Sequence, residues 1–130
     1  MLVFLVRHAH SDPGEPDDAR TLSARGREEA AALGERLGAH PTPPRIVLTS
    51  PLVRARETAE LIGEATGSEV RADERLRPGA NEELLREAVS GLDGPVVAVA
   101  HQPDCSEIAL ALTGHEPGFP PTGVTELELA

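Results

Sequence analysis

The stretch Leu2-Val3-Phe4-Leu5-Val6-Arg7-His8-Ala9-His10-Ser11 lies at the start of the sequence and decides the fold. Its first half is an uninterrupted apolar run of the kind that forms a strand buried on both faces of a parallel sheet. Arg7 and His8 then follow at the carboxyl end of that strand, which is the edge where open α/β sheets bind their ligands. A cation and an imidazole at that edge indicate an anion site with a nucleophile or base beside it.

The composition restricts the classes of partner that the protein can bind. The chain has 130 residues and a formal net charge of −10, which argues against a nucleic-acid or anionic-membrane surface because both require a basic face. A small arginine-lined pocket is compatible with this charge, since local charges decide its affinity for an anion. The length predicts one domain over residues 1–130. The apolar runs are too short for a membrane span or a signal peptide, so we expect a cytoplasmic protein.

Apolar runs and helical patterns alternate along the chain. Short runs predict strands at Leu2–Val6, Arg45–Thr49, Glu69–Ala72, Val96–Ala100 and Val124–Leu129. Apolar residues at helical spacing predict helices from Ser23 to about Leu37, Ser50 to about Thr66, Asn81 to about Ser90 and Asp104 to Gly114. The alternation predicts an α/β fold, a three-layer α/β/α sandwich whose central sheet is mostly parallel with an antiparallel edge strand.

Polar residues mark where the predicted helices begin. Ser23 and Asn81 precede helical patterns and are predicted N-caps. Ser50-Pro51 predicts a serine N-cap followed by proline at the first helical position. Asp104 and Glu107 have the spacing of a capping box. We therefore expect these side chains to be used at helix ends.

Polar side chains also follow three of the predicted strands at the point where each strand ends. Arg7 and His8 follow the first strand, Arg54 lies in the first turns of the helix after the second, and His101 follows the strand at Val96–Ala100. Because the carboxyl ends of parallel strands share one edge of a sheet, we expect these four side chains to converge. Two guanidiniums and a helix N-terminus can together bind the oxygens of a phosphate.

These residue types predict phosphoryl-transfer chemistry. The two arginines disfavour the charged form of the His8 imidazole, so His8 is expected to be neutral near pH 7. A neutral ring nitrogen is a nucleophile towards phosphorus, and His8 could accept a phosphoryl group and then release it to water. His101, on the opposite side, could donate a hydrogen bond to the phosphoryl oxygens.

Four motifs, in a fixed order, carry a family resemblance. They are Arg7-His8-Ala9-His10-Ser11, Leu22-Ser23-x-x-Gly26, Ser50-Pro-Leu-Val-Arg54-Ala-Arg-Glu-Thr-Ala59 and Val99-Ala-His101-Gln-Pro103. Together they resemble the histidine phosphatase (phosphoglycerate-mutase-like) superfamily over nearly the whole chain. The resemblance implies that His8 is the phosphoryl-accepting nucleophile and that Arg7, Arg54 and His101 form the phosphate pocket.

A further pattern points to one branch of that superfamily. The short length and the segment Asp17-Asp18-Ala-Arg20-Thr-Leu22-Ser-x-x-Gly26 resemble the small phosphohistidine phosphatases related to SixA. Arg20 could bind the substrate phosphate in such a pocket, or it could form a salt bridge with Asp17 or Asp18, and both alternatives stay open. His10 is expected at the rim of the pocket rather than in catalysis.

One position departs from the pattern of the larger phosphomonoesterases in the superfamily. Those members usually carry a Glu two residues after a Leu, in the loop after the third strand, as the acid for the leaving group. Here Leu76-Arg77-Pro78 places Pro78 at that position. An alkoxide leaving group gains about 10²–10⁴-fold from a positioned acid, whereas an imidazole can leave neutral if its other nitrogen carries a proton. The missing acid favours phosphohistidine as the substrate, unless the role passes to Glu82, Glu83, Asp12 or Asp104.

We therefore expect a metal-independent phosphatase without a cofactor, whose favoured partner is a protein phosphorylated on histidine. Two alternatives stay open: a phosphomonoesterase for a small phosphorylated metabolite, and a non-catalytic phosphate-binding module. The pair His8-x-His10 could instead bind a metal, but that chemistry needs further His and Asp ligands on later strands and a barrel of about 250 residues. The sequence has neither the length nor carboxylates in those places.

Overall fold

The computed structural model describes residues 1–130 and has the predicted alternating order of strands and helices. The strands are β1 (Leu2–Arg7), β2 (Ile46–Thr49), β3 (Glu69–Ala72), β4 (Val96–Ala100) and β5 (Val124–Glu128). The α-helices are α1 (Ala24–Gly38), α2 (Val53–Thr66), α3 (Glu82–Val89) and α4 (Asp104–Thr113), and two short 3-10 turns span Asp17–Ala19 and Glu74–Leu76. Each α-helix is too short or too polar to cross a membrane.

The strands form one sheet in the order β3-β2-β4-β1-β5. β4 pairs in parallel with both β1 and β2, so Arg7 lies opposite Ala100 and Thr49 lies opposite Val99. β5 runs antiparallel to β1 at the sheet edge. The predicted sheet, mostly parallel with an antiparallel edge strand, is thereby confirmed. Its strand order brings the carboxyl ends of β1, β2 and β4 together.

Apolar side chains pack on both faces of the sheet, as the predicted three-layer sandwich requires. Leu5 of β1 belongs to a core that also contains Ile108 and other residues of α3 and α4. Phe4, the residue before Leu5 in β1, belongs to a second core with Ile62 and other residues of α1 and α2. This division follows from the alternation of side chains along a strand, which sends neighbouring residues to opposite faces.

The cap predictions are confirmed at two helices. Ser23 precedes α1, and its hydroxyl accepts a hydrogen bond from the backbone N–H of Gly26 at 3.0 Å. Asn81 precedes α3, and its side-chain oxygen accepts one from Leu84 N–H at 2.9 Å. Both side chains satisfy a backbone donor that the first turn of a helix leaves without a partner.

The cap predictions are wrong at the other two helices. α2 begins at Val53 with Leu52 as its N-cap. The Ser50 hydroxyl is 2.8 Å from Nε2 of His101 and also accepts a hydrogen bond from Leu52 N–H at 3.3 Å. α4 begins at Asp104 itself, whose carboxylate accepts a hydrogen bond from Gly79 N–H at 2.8 Å. In both cases a buried side chain contacts a distant segment of the chain.

We expect Gly26→Ala to destabilise the fold by about 1–3 kcal/mol, because an added methyl group in a packed region forces its neighbours apart. A Cβ at Gly26 would overlap the carbonyl oxygen of His10. Urea unfolding would measure the loss, with Gly118→Ala as the matched control because a Cβ at Gly118 has no heavy atom within 4 Å. Equal unfolding free energies for the two variants would contradict the close packing of α1 against the loop after β1.

Candidate active site

A cavity of about 380 Å³ opens at the edge of the sheet where β1, β2 and β4 end. It contains all five residues that the sequence predicts for the site, namely Arg7, His8, Arg20, Arg54 and His101. The remaining lining residues are Ala9, His10, Ser11, Pro78, Gln102 and Pro121. The walls therefore combine guanidiniums and imidazoles with few apolar groups, which suits a small anion.

The ring of His8 is held in one tautomer by its own backbone. Its Nδ1 lies 2.8 Å from the carbonyl oxygen of Ala9. A carbonyl oxygen can only accept, so Nδ1 donates a proton and Nε2 keeps its lone pair. Burial of the ring lowers its pKa to about 4, with a smaller contribution from the charges of Arg54, Arg7 and Arg20. The predicted neutral state is therefore supported, although burial contributes more than the arginines do.

His101 lies across the cavity from His8, with 5.2 Å between the ring centroids. His101 is only 3% exposed, and its Nε2 is 2.8 Å from the Ser50 hydroxyl. Burial lowers the pKa of His101 to about 3, and the neighbouring His8 and Arg54 act in the same direction. Nδ1 of His101 is buried and has no hydrogen-bond partner in the protein.

Arg7 carries the second buried nitrogen without a partner. One of its terminal nitrogens, Nη1, donates to the carbonyl oxygen of Phe119 at 2.9 Å, while Nε has no acceptor. Buried polar groups are almost always hydrogen-bonded, so an orphaned nitrogen requires an explanation. Arg7 and His101 both line the cavity, and a bound oxyanion would provide acceptors for both.

Arg54 and Arg20 share one acidic partner. Arg54 is only 6% exposed, and it donates from Nη1 to the backbone oxygen of Asp17 at 2.8 Å and from Nη2 to its carboxylate at 3.2 Å. Arg20 donates from Nη1 to the other carboxylate oxygen at 3.1 Å. Arg20 lines the cavity and also forms a salt bridge with Asp17. Both alternatives that the sequence left open for Arg20 are therefore compatible with the structure. Asp18 pairs instead with Arg77.

The cavity wall contains no aspartate or glutamate. Pro78 lines it, in agreement with its position in the sequence motif. Asp12, Glu82, Glu83 and Asp104, which the sequence offered as substitutes for the missing acid, all lie outside the lining. Asp104 is buried and accepts from the backbone of Gly79, so its carboxylate holds the turn that carries Pro78. Burial raises the pKa of Asp104.

Two supporting residues were missed by the sequence analysis. Ser50 contacts His101, and its position directly after β2 places it at the same edge as the predicted site residues, a signal that could have identified it. Asp17 contacts Arg54 across a long stretch of chain, and no local pattern indicates that pairing. His10 lies in the wall with its Nδ1 2.7 Å from the Ser23 hydroxyl. Groups of three or more His, Cys, Asp or Glu side chains that could hold a metal ion are absent.

Comparison with known proteins identifies the family to which the chain belongs. The sequence profile of the histidine phosphatase superfamily (branch 1) matches residues 3–91, which span β1 to the end of α3. The chain belongs to the histidine phosphatase superfamily. An uncharacterised protein of Picosynechococcus sp. is 31% identical over 98% of this chain and 84% of its own length.

Two solved structures of histidine phosphatases resemble the whole fold. A protein from Agrobacterium tumefaciens that bears the name phosphohistidine phosphatase SixA is 26% identical, with a TM-score of 0.81 over 96% of this chain and 88% of that chain. A mycobacterial glucosyl-3-phosphoglycerate phosphatase in complex with VO3 is 25% identical, with a TM-score of 0.75 over 98% of this chain and 90% of that chain.

We expect the buried imidazoles to make stability fall as the pH is lowered. An unfolded histidine takes up a proton near pH 6.5, whereas the folded-state pKa values are about 4 for His8 and about 3 for His101. Between these pH values the unfolded chain binds more protons than the native one, so the free energy of unfolding decreases with decreasing pH. Each imidazole contributes a slope of up to about 1.4 kcal/mol per pH unit.

Urea unfolding of the wild type and of His101→Gln between pH 7 and pH 4.5 would measure this slope. The variant should lose less stability over that range, because one of the two shifted groups is gone. His115→Gln, at an exposed position, is the matched control. Identical slopes for the wild type and His101→Gln would contradict the burial of a neutral imidazole.

Proposed function

We propose that the protein is a phosphatase that accepts a phosphoryl group on Nε2 of His8, transfers it to water, and acts preferentially on phosphohistidine of a protein. The observation that carries this proposal is the fixed tautomer of His8. Its Nδ1 proton is committed to the Ala9 carbonyl oxygen, so the lone pair of Nε2 is available in a cavity that also contains Arg7, Arg54 and His101. A neutral nucleophile beside several cationic donors is suited to attack on phosphorus.

The donors without protein partners supply the oxyanion site in this proposal. Arg7 donates from Nε to one phosphoryl oxygen, and His101 donates from Nδ1 to another, so both buried nitrogens gain acceptors. In that role His101 needs its proton on Nδ1, and the Ser50 hydroxyl then donates its own proton to Nε2 of His101. Arg54 adds charge-assisted hydrogen bonds from the first turn of α2.

The proposed reaction has two steps that conserve protons. In the first, the lone pair of His8 Nε2 forms a bond to phosphorus while the bond from phosphorus to the substrate nitrogen breaks. The leaving imidazole keeps the proton on its other nitrogen and departs neutral. In the second, water attacks phosphorus, the bond to Nε2 breaks, and dihydrogen phosphate forms. The proton stays on Nδ1 of His8 throughout, and its hydrogen bond to the Ala9 carbonyl oxygen stabilises the positive ring of the intermediate.

The absence of a carboxylate from the cavity wall supports a nitrogen leaving group over an oxygen one. An alkoxide needs a proton as it leaves, and a positioned acid contributes about 10²–10⁴-fold to that step. Pro78 occupies the place where such an acid is expected, and a proline side chain has no proton to give. The similarity to a protein bearing the name phosphohistidine phosphatase SixA supports the same substrate class.

A small phosphorylated metabolite is the second candidate substrate. It is favoured by the similarity to a mycobacterial glucosyl-3-phosphoglycerate phosphatase, whose fold covers nearly the whole chain. The His8 nucleophile and the arginine donors would serve an ester equally well, and only the step that releases the leaving group would differ.

We expect the protein to hydrolyse a histidine-phosphorylated protein with a kcat/KM at least about 10²-fold above that for any phosphate ester, because only the ester requires the missing acid. Phosphate release would be measured for a protein phosphorylated chemically with phosphoramidate and for a panel of sugar, glycerate and seryl phosphates. EDTA should leave the rates unchanged.

His8→Ala should reduce hydrolysis of every substrate to the background rate, and His115→Ala is the control at an exposed histidine outside the cavity. Faster hydrolysis of an ester than of the phosphoprotein would favour the metabolite as substrate. Equally slow hydrolysis by the wild type and His8→Ala would indicate a phosphate-binding module without catalysis.

A further inference from the structure

We propose that Asp17 is a positioning residue, which holds the guanidiniums of Arg54 and Arg20 so that their remaining N–H groups face a phosphoryl group in the cavity. The inference deepens the proposed function, since it rests on the same cavity as a phosphate site. Asp17 itself does not line the cavity. Its carboxylate accepts one hydrogen bond from each of the two arginines, and its backbone oxygen accepts a further one from Arg54.

Hydrogen bonds fix the backbone around Asp17. Asp17 begins a 3-10 turn in which Ala19 N–H donates to Pro16 at 3.0 Å and Arg20 N–H donates to the Asp17 oxygen at 3.2 Å. The same Asp17 oxygen accepts from Arg54 at the start of α2. The turn is therefore attached to α2, and the Asp17 carboxylate is presented from a fixed place.

Both arginines keep N–H groups that are not used on protein acceptors and can bind an anion. Each terminal nitrogen of a guanidinium carries two hydrogens, and Arg54 uses one hydrogen of Nη1 and one of Nη2 on Asp17. Arg20 uses Nη1 on Asp17, Nε on the Asp12 carbonyl at 3.0 Å and Nη2 on the Ser11 hydroxyl at 2.9 Å. A second hydrogen remains on each terminal nitrogen of both side chains.

Charge explains why an aspartate suits this position. Arg54 is buried and lies in the same cavity wall as Arg7 and Arg20, and an unpaired buried cation is strongly unfavourable. The Asp17 side chain is 61% exposed, so its own desolvation is small. Hydrogen bonds from Arg20 and the charge of Arg54 hold the pKa of Asp17 below its usual range, so the residue stays ionised at neutral pH.

The neighbouring Asp18 is a matched control within the same turn. Its side chain is 67% exposed, and its one ion pair is with Arg77 at 3.5 Å, outside the cavity. Asp17 and Asp18 thus share residue type, exposure and local backbone, and they differ in whether they contact the cavity arginines.

The test measures the binding of inorganic phosphate by isothermal titration calorimetry, which does not require catalysis. Asp17→Ala should weaken phosphate binding about tenfold, and Asp17→Asn should weaken it less because its amide oxygen can still accept from one arginine. Asp18→Ala should leave the affinity within about twofold of the wild type. Circular dichroism and thermal unfolding would verify that each variant is folded.

The direction of the change distinguishes positioning from simple electrostatics. If Asp17 contributed only negative charge, its removal would strengthen the binding of an anion, and tighter or unchanged phosphate binding by Asp17→Ala would overturn the proposal. Coupling is the second readout: in an Arg54→Ala background, Asp17→Ala should weaken binding by a smaller factor than in the wild type. Equal factors in the two backgrounds would also overturn it.

The outcomes for Asp17 and for the proposed function are separable. A wild type that binds phosphate but hydrolyses neither phosphoprotein nor ester would refute the phosphatase and leave the role of Asp17 to be judged on binding alone. A wild type that hydrolyses phosphohistidine, with Asp17→Ala binding phosphate normally, would refute the inference and leave the phosphatase intact. A wild type that does not bind phosphate would refute the inference about Asp17, whereas the phosphatase is refuted only by the absence of hydrolysis.

Discussion

The parallel pairing of β4 with both of its neighbours is the constraint on which the cavity depends. The ladder continues past the strand ends, because His8 N–H donates to Ala100 at 3.1 Å and Ser50 N–H donates to Val99 at 3.0 Å. Ser50, His101 and His8 therefore occupy successive positions along one edge of the sheet, although they come from distant parts of the chain. Backbone hydrogen bonds, rather than flexible side chains, set the separation between the two imidazoles.

Burial has opposite consequences for the two kinds of side chain in the cavity. It favours the neutral form of both imidazoles, which His8 requires as the proposed nucleophile, and Arg54 acts on both rings in the same direction. For the arginines themselves burial is unfavourable, because they cannot lose their charge. The fold offsets this cost with acceptors from loops, namely the Phe119 carbonyl for Arg7 and Asp17 for Arg54. The loops that surround the cavity are thus tied to its cations.

The fold and the cavity residues could be predicted from the sequence because buried parallel strands appear as continuous apolar runs. The residues after three such runs then had to meet at one edge, and this placed Arg7, His8, Arg54 and His101 together. The uses of Ser50 and Asp104 could not be predicted from local capping rules, because those rules apply only when a side chain has no better partner elsewhere. Their partners, His101 and the backbone of Gly79, lie far away in the sequence. The same limitation applies to the contact between Asp17 and Arg54.

The tautomer of His8 connects the geometry of the cavity with the class of substrate. In the proposed reaction, a bond between phosphorus and imidazole breaks and a bond of the same kind forms, so the first step needs no net proton transfer. The Ala9 carbonyl holds the proton that the new phosphohistidine requires on its other nitrogen. An ester would instead produce an alkoxide, and its proton would have to come from a wall that contains no carboxylate and has Pro78 at the expected acid position. In the proposed reaction, the arrangement therefore suits a transfer between imidazoles better than the release of an alkoxide.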